Sequence, residues 1–509
     1  MPCIKSDDSQ KPYWLLTGVT GLVGQYLLKD MLESGVPVAV LVRPAKKQSA
    51  RARIESIMQR WESILGHLLP RPVILEGDVK SAGLGLSKDQ FDWVASRVGH
   101  FVHNAAILKF FGPCRSGEPW QTNVVGTQNV LDFVRSTEIE QFHYVSTAYV
   151  AGRQPSIVRE DDYPSNPVFR NDYEHSKWVA EGLVREAKLL NRPTIYRPVV
   201  IAGDSTNGFT STYHGLYLYL RTMALLVPEQ RRDEQGKLIT KIRLPMSGDE
   251  ERNIVPVEWV SQVITHLLRT PAALGKTFHL APKHGITPNE LIQYCYRYFG
   301  STGVEFCPEL EGKAPVENEF SSKVFDSIRI YQDYDTSDPH FDTTNLDKFA
   351  GHLECPVLDQ AVIERYLEFG ERDRWGKAKP PTIELSHDGQ ACVERLSEEI
   401  GDLLQQLDLA DLEGRGTNDP AWGPGNSDQQ IGFQLLGPGG GPFTVTVAPT
   451  GHSQVRLGIS PRPTILLQMS VRSLQKWLAS DYTQRRQTTA LWLQRHGQAA
   501  AVQLNREST

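Results

Sequence analysis

The chain has 509 residues, 40% of them apolar and 22% charged, which is enough to bury several cores and excludes bulk disorder. A formal net charge of −6 gives no general attraction for nucleic acid or an anionic membrane, so no nucleic-acid partner is expected. Cys3, Cys114, Cys295, Cys307, Cys355 and Cys392 stand far apart without a C-x-x-C pair, so neither a disulfide framework nor a metal site is expected. The first residues carry Asp7 and Asp8 and no apolar run, and no segment approaches about 18 unbroken apolar residues. A cytoplasmic chain with no transmembrane segment is the expectation.

After a tail at 1–11, short apolar runs alternate with helical patterns: YWLLTG (13–18), VPVAVLV (36–42), RPVILEGD (71–78), HFVHNAA (100–106), QFHYVST (141–147) and RPTIYRP (192–198). This alternation predicts an α/β fold with a doubly wound parallel sheet. Between the first two runs, Val23, Leu27, Leu28, Met31 and Leu32 fall on one helical face. The apolar, Tyr-rich TYHGLYLYLRTMALLVP and the charged EQRRDEQGKL interrupt the pattern, which NIVPVEWVSQVITHLL and KTFHLAP resume, and a helix is expected from Pro288. The core is therefore placed at about 12–205 and 251–282, and a substrate lobe at 206–250 and 283–370. The Tyr-rich segment is either an acyl tunnel or a buried helix of that lobe. Gly, Pro and charge gather in a linker at 371–384, and 385–509 reads as a separate α+β domain. Its signals are a helical stripe (Leu396, Ile400, Leu403, Leu404, Leu407), four short strands expected to pair antiparallel, and two closing helices.

The first strand runs into Thr17-Gly18-Val19-Thr20-Gly21-Leu22-Val23-Gly24 and then a helix. Gly18 permits the tight turn, Gly21 lets backbone amides approach a pyrophosphate, and Gly24 allows close helix–strand packing. This is a Rossmann-type dinucleotide turn. The second strand ends in VLVRP, placing Arg43, with Lys46 and Lys47 beyond it, where NAD-binding chains usually carry an acid. A guanidinium suits a 2′-phosphate, so NADPH is the expected cofactor. Asp78 and Val79 after the third strand are placed against adenine, and Asn104, Ala105 and Ala106 after the fourth leave room for the cofactor.

Tyr173 and Lys177 stand one helical turn apart, so Lys177 is expected to lower the Tyr173 pKa and make it a proton donor near neutrality. Such a spacing arises about once by chance in a chain this rich in both residues. The context gives it weight. Ser146 and Thr147 end a strand at the carboxyl edge of the sheet, and Pro198 through Val200 end the next, where backbone could hold a nicotinamide carboxamide.

The segments TGVTGLVG (17–24), LVRP (41–44), HNAA (103–106), NVVGTQNVL (123–131), VSTAYVAG (145–152), YEHSKWVAE (173–181), YRPVVIAG (196–203) and NIVPVEWV (253–260) resemble extended short-chain dehydrogenase/reductases. Within them the closest likeness is to the thioester-reductase and fatty acyl-CoA reductase group, over about 12–370. The resemblance implies NADPH-dependent reduction of an acyl thioester, on coenzyme A or an acyl-carrier protein, to an aldehyde, with a second round to the alcohol left open. It assigns catalysis to Thr147, Tyr173 and Lys177, with Ser146 beside the cofactor. Pro198-Val199 departs from the Pro-Gly of many relatives. Residues 385–505 resemble, more loosely, sterol carrier protein-2 domains, which implies a cavity for a lipid or acyl chain; a capping or dimerising domain is the alternative. Two rivals share the same residues: a dehydrogenase of a hydroxysteroid or other hydrophobic alcohol, and a non-catalytic lipid-transfer or NADPH-sensing protein.

Overall fold

A computed structural model describes residues 11–378 apart from 44, 46–48, 66–68, 154–156, 245 and 309–336. In the carboxy-terminal part it describes 429–436, 442–447, 453–457, 465–470, 477–481 and 484. The chain divides into two compact units, one of residues 1–50 and 74–378, the other of 51–73 and 379–509.

In chain order the elements are β1 (Tyr13–Thr17), α1 (Leu22–Glu33), β2 (Val38–Val42), α2 (Ala50–Leu65), β3 (Val73–Glu76), α3 (Lys88–Arg97), β4 (Val98–His103), α4 (Gly126–Ser136), β5 (Gln141–Val145), α5 (Asp172–Glu186) and β6 (Thr194–Pro198). They continue as β7 (Val200–Ala202), α6 (Leu216–Leu226), β8 (Leu238–Leu244), β9 (Ile254–Pro256), α7 (Val257–Leu268), β10 (Thr277–Leu280), α8 (Pro288–Phe299), β11 (Ser301–Phe306), α9 (Thr344–Ala350) and α10 (Gln360–Arg372).

Seven strands form one sheet in the order β10-β6-β5-β4-β1-β2-β3, and the pairs from β10 through to β2 are parallel. Both strands β2 and β6 are buried at every position; β2 is apolar throughout, as a strand covered on both faces usually is, whereas β6 also buries Thr194 and Arg197. The chain winds outward from β1 to β3, then returns to start again at β4. The reversal leaves a crevice beyond the carboxyl ends of β1 and β4, where doubly wound sheets bind ligands.

Helix α1 buries Leu27, Leu28, Met31 and Leu32 as its stripe predicts; Val23 is half-buried because it lies in the first turn, beside the glycine loop. Helix α5 is capped by Asn171, whose side chain accepts from the Glu174 amide at 3.0 Å. Helix α8 starts at Pro288, as the sequence predicts, behind a capping box of Thr287 and Glu290. The Tyr-rich segment forms α6, and its Leu216, Tyr217 and Leu220 pack into a core with Val362, Ile363 and Tyr366 of α10. They are core residues, so of the two expectations for this segment they fit the buried helix.

In the carboxy-terminal part β12 (Gln429–Leu436), β13 (Pro442–Val447), β14 (Ser453–Leu457) and β15 (Ile465–Ser470) form a sheet in the order β14-β13-β12-β15. Two pairs are antiparallel, but β12 and β15 run parallel, which corrects the all-antiparallel expectation. The excursion through β13 and β14 returns the chain on the far edge of β12 in the same direction. The stripe from Leu396 to Leu407 and most of the two closing helices lie outside the described residues, as do Lys46 and Lys47.

Candidate active site

The glycine turn is built as its spacing requires. Gly18 has φ +72°, and a Cβ there would stand 2.8 Å from the Ala105 backbone. A Cβ on Gly24 would collide with the Gly18 carbonyl. Gly21 caps α1 without a side-chain hydrogen bond, leaving the first-turn amides directed at the crevice. The Thr20 carbonyl accepts from Gln25 at 3.0 Å, and Leu22 is buried at the start of α1. Thr17 joins β1 to the loop after β4: its hydroxyl oxygen accepts from the amides of Asn104 at 3.2 Å and Ala105 at 3.1 Å. Asn104 also donates to the Gly18 carbonyl at 3.4 Å. The expected Gly18, Asn104 and Ala105 are thus in direct contact, with Ala106 exposed next to them. This cradle, closed to any side chain larger than hydrogen at Gly18 and Gly24, fits a dinucleotide pyrophosphate.

At the rim, Arg43 is exposed at the end of β2. Asp78 is half-buried and accepts the Lys80 amide at 3.0 Å. Val79 is buried, and its carbonyl accepts from Asn129 at 2.9 Å.

Thr147, Tyr173 and Lys177 converge at the carboxyl end of β5. Thr147 is 4% exposed, and its side chain neighbours the Tyr173 phenol. It also lies 3.4 Å from the Pro198 carbonyl. Burial, with the neighbouring Glu174 charge, pushes the Tyr173 phenol up to about 12, against a smaller opposing effect of Thr147. The expected lowering of Tyr173 by Lys177 is therefore not what this geometry gives. The Lys177 ammonium instead donates to the Tyr144 phenol and to the Val145 carbonyl, both at 2.8 Å, and sits over the Tyr144 ring. Burial pulls Lys177 down to about 7, and Glu181 offsets only part of that cost.

The Ser146 hydroxyl donates to Glu181 at 2.6 Å, so it supports a buried ion pair. The amides of Val199 and Val200 donate to the carbonyls of Leu280 and Asn253, both at 3.2 Å. They are occupied by neighbouring chain, so the backbone after Pro198 has carbonyls, not those two amides, to offer a carboxamide.

Several residues that organise the site lie within the quoted segments but received no role there. Asn123 accepts from the Ile107 amide at 2.8 Å and donates to Ser176 at 3.0 Å, tying the loop after β4 to α5. Glu181 receives Arg197 at 2.6 Å and Arg185 at 2.7 Å; burial opposes its charge, but Arg197 foremost overcomes this and holds the carboxyl at about 2. Glu181 stands one turn beyond Lys177, the one hint the sequence offers. Among the described residues no group of three or more His, Cys, Asp or Glu could hold a metal ion, and no helix is long and apolar enough to cross a membrane.

A doubly wound parallel sheet, a glycine turn opening a helix, and Thr, Tyr and Lys at the carboxyl edge define an extended short-chain dehydrogenase/reductase, a nicotinamide-nucleotide-binding oxidoreductase. Residues 16–264 match the NAD-binding family described as Male sterility protein, and that part of the chain belongs to it. A linear gramicidin synthase of Brevibacillus parabrevis is 31% identical over 387 residues, covering 72% of this chain and 7% of that protein. Aldehyde reductase lnaA of Aspergillus flavus is 24% identical over 392 residues, 70% of this chain and 35% of that protein. The chain thus matches about a third or less of the length of these relatives. Among solved structures, the terminal R domain from the myxalamid PKS-NRPS biosynthetic pathway has a TM-score of 0.57 and 26% identity, covering 72% of this chain and 92% of that one.

Proposed function

We propose that this protein reduces an acyl thioester to the aldehyde with NADPH, the acyl group being held on a pantetheine arm of the kind shared by coenzyme A and carrier proteins. The observation that carries the reading is the neighbouring side chains of Thr147 and Tyr173 at the carboxyl edge of β5, with Lys177 buried one helical turn beyond Tyr173. The relatives, a gramicidin synthase, an aldehyde reductase and a terminal R domain, support it.

Bound nicotinamide nucleotide supplies the hydride. The glycine cradle and the first turn of α1 hold its phosphates, and Arg43 gives the 2′-phosphate a cation. Thr147 and Tyr173 present two O–H donors to the thioester oxygen and stabilise the negative charge that grows there. A phenol whose pKa lies near 12 is fully protonated at neutral pH, the state a proton donor to that oxygen needs. Lys177, buried behind it, places a cation where the phenolate forms. The hemithioacetal so produced expels the thiol and leaves the aldehyde.

The test is a coupled assay on the full chain with NADPH and acyl-CoA substrates of graded length. One NADPH consumed and one thiol released per aldehyde formed is the expected result. Turnover of a hydroxysteroid or another hydrophobic alcohol, with no thiol released from any thioester, would replace this reading.

A further inference from the structure

Behind the catalytic lysine lies a chain of buried side chains that the mechanism above does not use. Thr17 of β1, His103 of β4, Thr127 of α4 and Tyr144 of β5 are each no more than 1% exposed, and Lys177 of α5 is 2% exposed. Thr17 meets His103 Nδ1 at 2.9 Å, His103 Nε2 meets Thr127 at 3.2 Å, the His103 and Tyr144 rings pack with centroids 5.7 Å apart, and Lys177 donates to Tyr144 at 2.8 Å. Hydrogen bonds and one ring contact thus lead from the glycine turn to the Lys177 ammonium.

Donor counting fixes the direction of every bond. The Thr17 oxygen already accepts two amides, so its single proton goes to His103 Nδ1. His103 is then the Nε2–H tautomer and donates to Thr127. Thr127 spends its own proton on the Asn123 carbonyl at 2.6 Å. The Tyr144 oxygen is the acceptor for Lys177, because an ammonium has protons to give and no lone pair.

We infer that Tyr144 is a positioning residue for Lys177: its oxygen holds the ammonium in place, and its ring packs on the His103 that is hydrogen-bonded to the cofactor turn. Two of the three ammonium protons go to Tyr144 and Val145, so the third is directed by elimination. The inference rests on the reading of Lys177 as part of the active site. It adds that the Tyr144 ring, packed on His103, registers the lysine against the glycine turn.

The groups that bear on the lysine's charge are Glu181 and Tyr173 on its own helix, Tyr144 on β5 and His103 on β4, with Arg197 of β6 offsetting Glu181. Removing the Tyr144 oxygen withdraws an acceptor from a buried ammonium and leaves its desolvation in place, so the neutral amine gains.

The test compares the full chain with Tyr144→Phe, both carrying lysine labelled with carbon-13 at Cε. The Lys177 resonance is identified by its loss in Lys177→Met, and its titration midpoint is followed by NMR. The midpoint is expected to fall by about one pH unit in Tyr144→Phe, as loss of one hydrogen bond to a charged group implies. The alkaline limb of thiol release should move with it. If Tyr144→Phe does not fold, 3-fluorotyrosine placed at position 144, whose oxygen is a poorer acceptor, should lower the midpoint in the same direction by less. An unchanged midpoint in a folded variant overturns the positioning role even where thioester turnover is robust. A lowered midpoint with no thioester turnover in either protein keeps the positioning role and overturns the proposed reaction instead.

Discussion

Glu181→Gln should destabilise the protein by about 3 kcal/mol at pH 7.5, because it removes one partner of a buried ion pair and leaves the other charged. The Glu181 side chain is 0% exposed and that of Arg197 is 1% exposed, and their closest contact is 2.6 Å. Breaking such a pair typically costs about 3–5 kcal/mol. The lower end applies here, since Arg197 keeps the carbonyls of Asp162 at 2.8 Å and Glu160 at 3.3 Å, and glutamine still offers one oxygen. Spread over the entropy of unfolding of a unit this large, that loss lowers the melting temperature by about 4 °C. Arg185→Ala, at the more open side of the same carboxylate, should cost less than about 1 kcal/mol. The folded carboxyl at about 2 lies below its ordinary 4.5, so its contribution is complete above pH 4.5 and disappears as pH falls towards 2. The gap between wild type and Glu181→Gln should therefore narrow in acid. Calorimetry at pH 7.5 and urea titrations down to pH 3.5 measure both effects. A loss under 1 kcal/mol at pH 7.5, or a gap that stays constant into acid, would refute the assignment of Glu181 as the charge that holds Arg197.

Tyr173→Phe should lower kcat for thioester reduction about 10³-fold, and Thr147→Val about 10²-fold, with NADPH affinity nearly unchanged, as steady-state rates and nucleotide fluorescence would show. Arg43→Ala should weaken NADPH binding about tenfold and leave NADH binding within twofold; equal losses for both nucleotides would remove the 2′-phosphate assignment. His103 and His143 are held at about 3 by burial, foremost, with Lys177 and His100 adding to it. Both folded values lie below the ordinary 6.5, so the unfolded chain binds more protons between 6.5 and 3, and stability is lost as pH falls through that window. Urea midpoints should drop by the equivalent of a few kcal/mol between pH 7.5 and pH 5.

The six first strands, the glycine turn and the helix after it are legible in the sequence because each is a local pattern: an apolar run, a Gly spacing, a stripe ending in Gly. Thr147, Tyr173 and Lys177 are legible as a set only through their order on successive elements. Partnerships across long separations are not. That Ser146 serves Glu181, that the Val199 and Val200 amides serve Leu280 and Asn253, and that Lys177 points at Tyr144 all depend on which strands become neighbours and in what register. A histidine in HFVHNAA reads as an ordinary strand residue. Its two Thr partners stand 86 and 24 residues away in the chain, so its role emerges only in three dimensions. The pKa of Tyr173 escapes the sequence for the same reason: spacing on a helix suggests Lys177 as its partner, but the ammonium turns to Tyr144 and Val145, and burial of the phenol with the Glu174 charge raises its pKa.

The central claim, that a hydride reaches an activated acyl carbon held against Thr147 and Tyr173, is tested most directly with NADPH deuterated at the nicotinamide C4. Mass spectrometry of the product should find one deuterium on the formyl carbon of the aldehyde for each thiol set free, and almost none of either with Tyr173→Phe. Aldehyde formed without the label, or label transferred while the thioester stays intact, would contradict it.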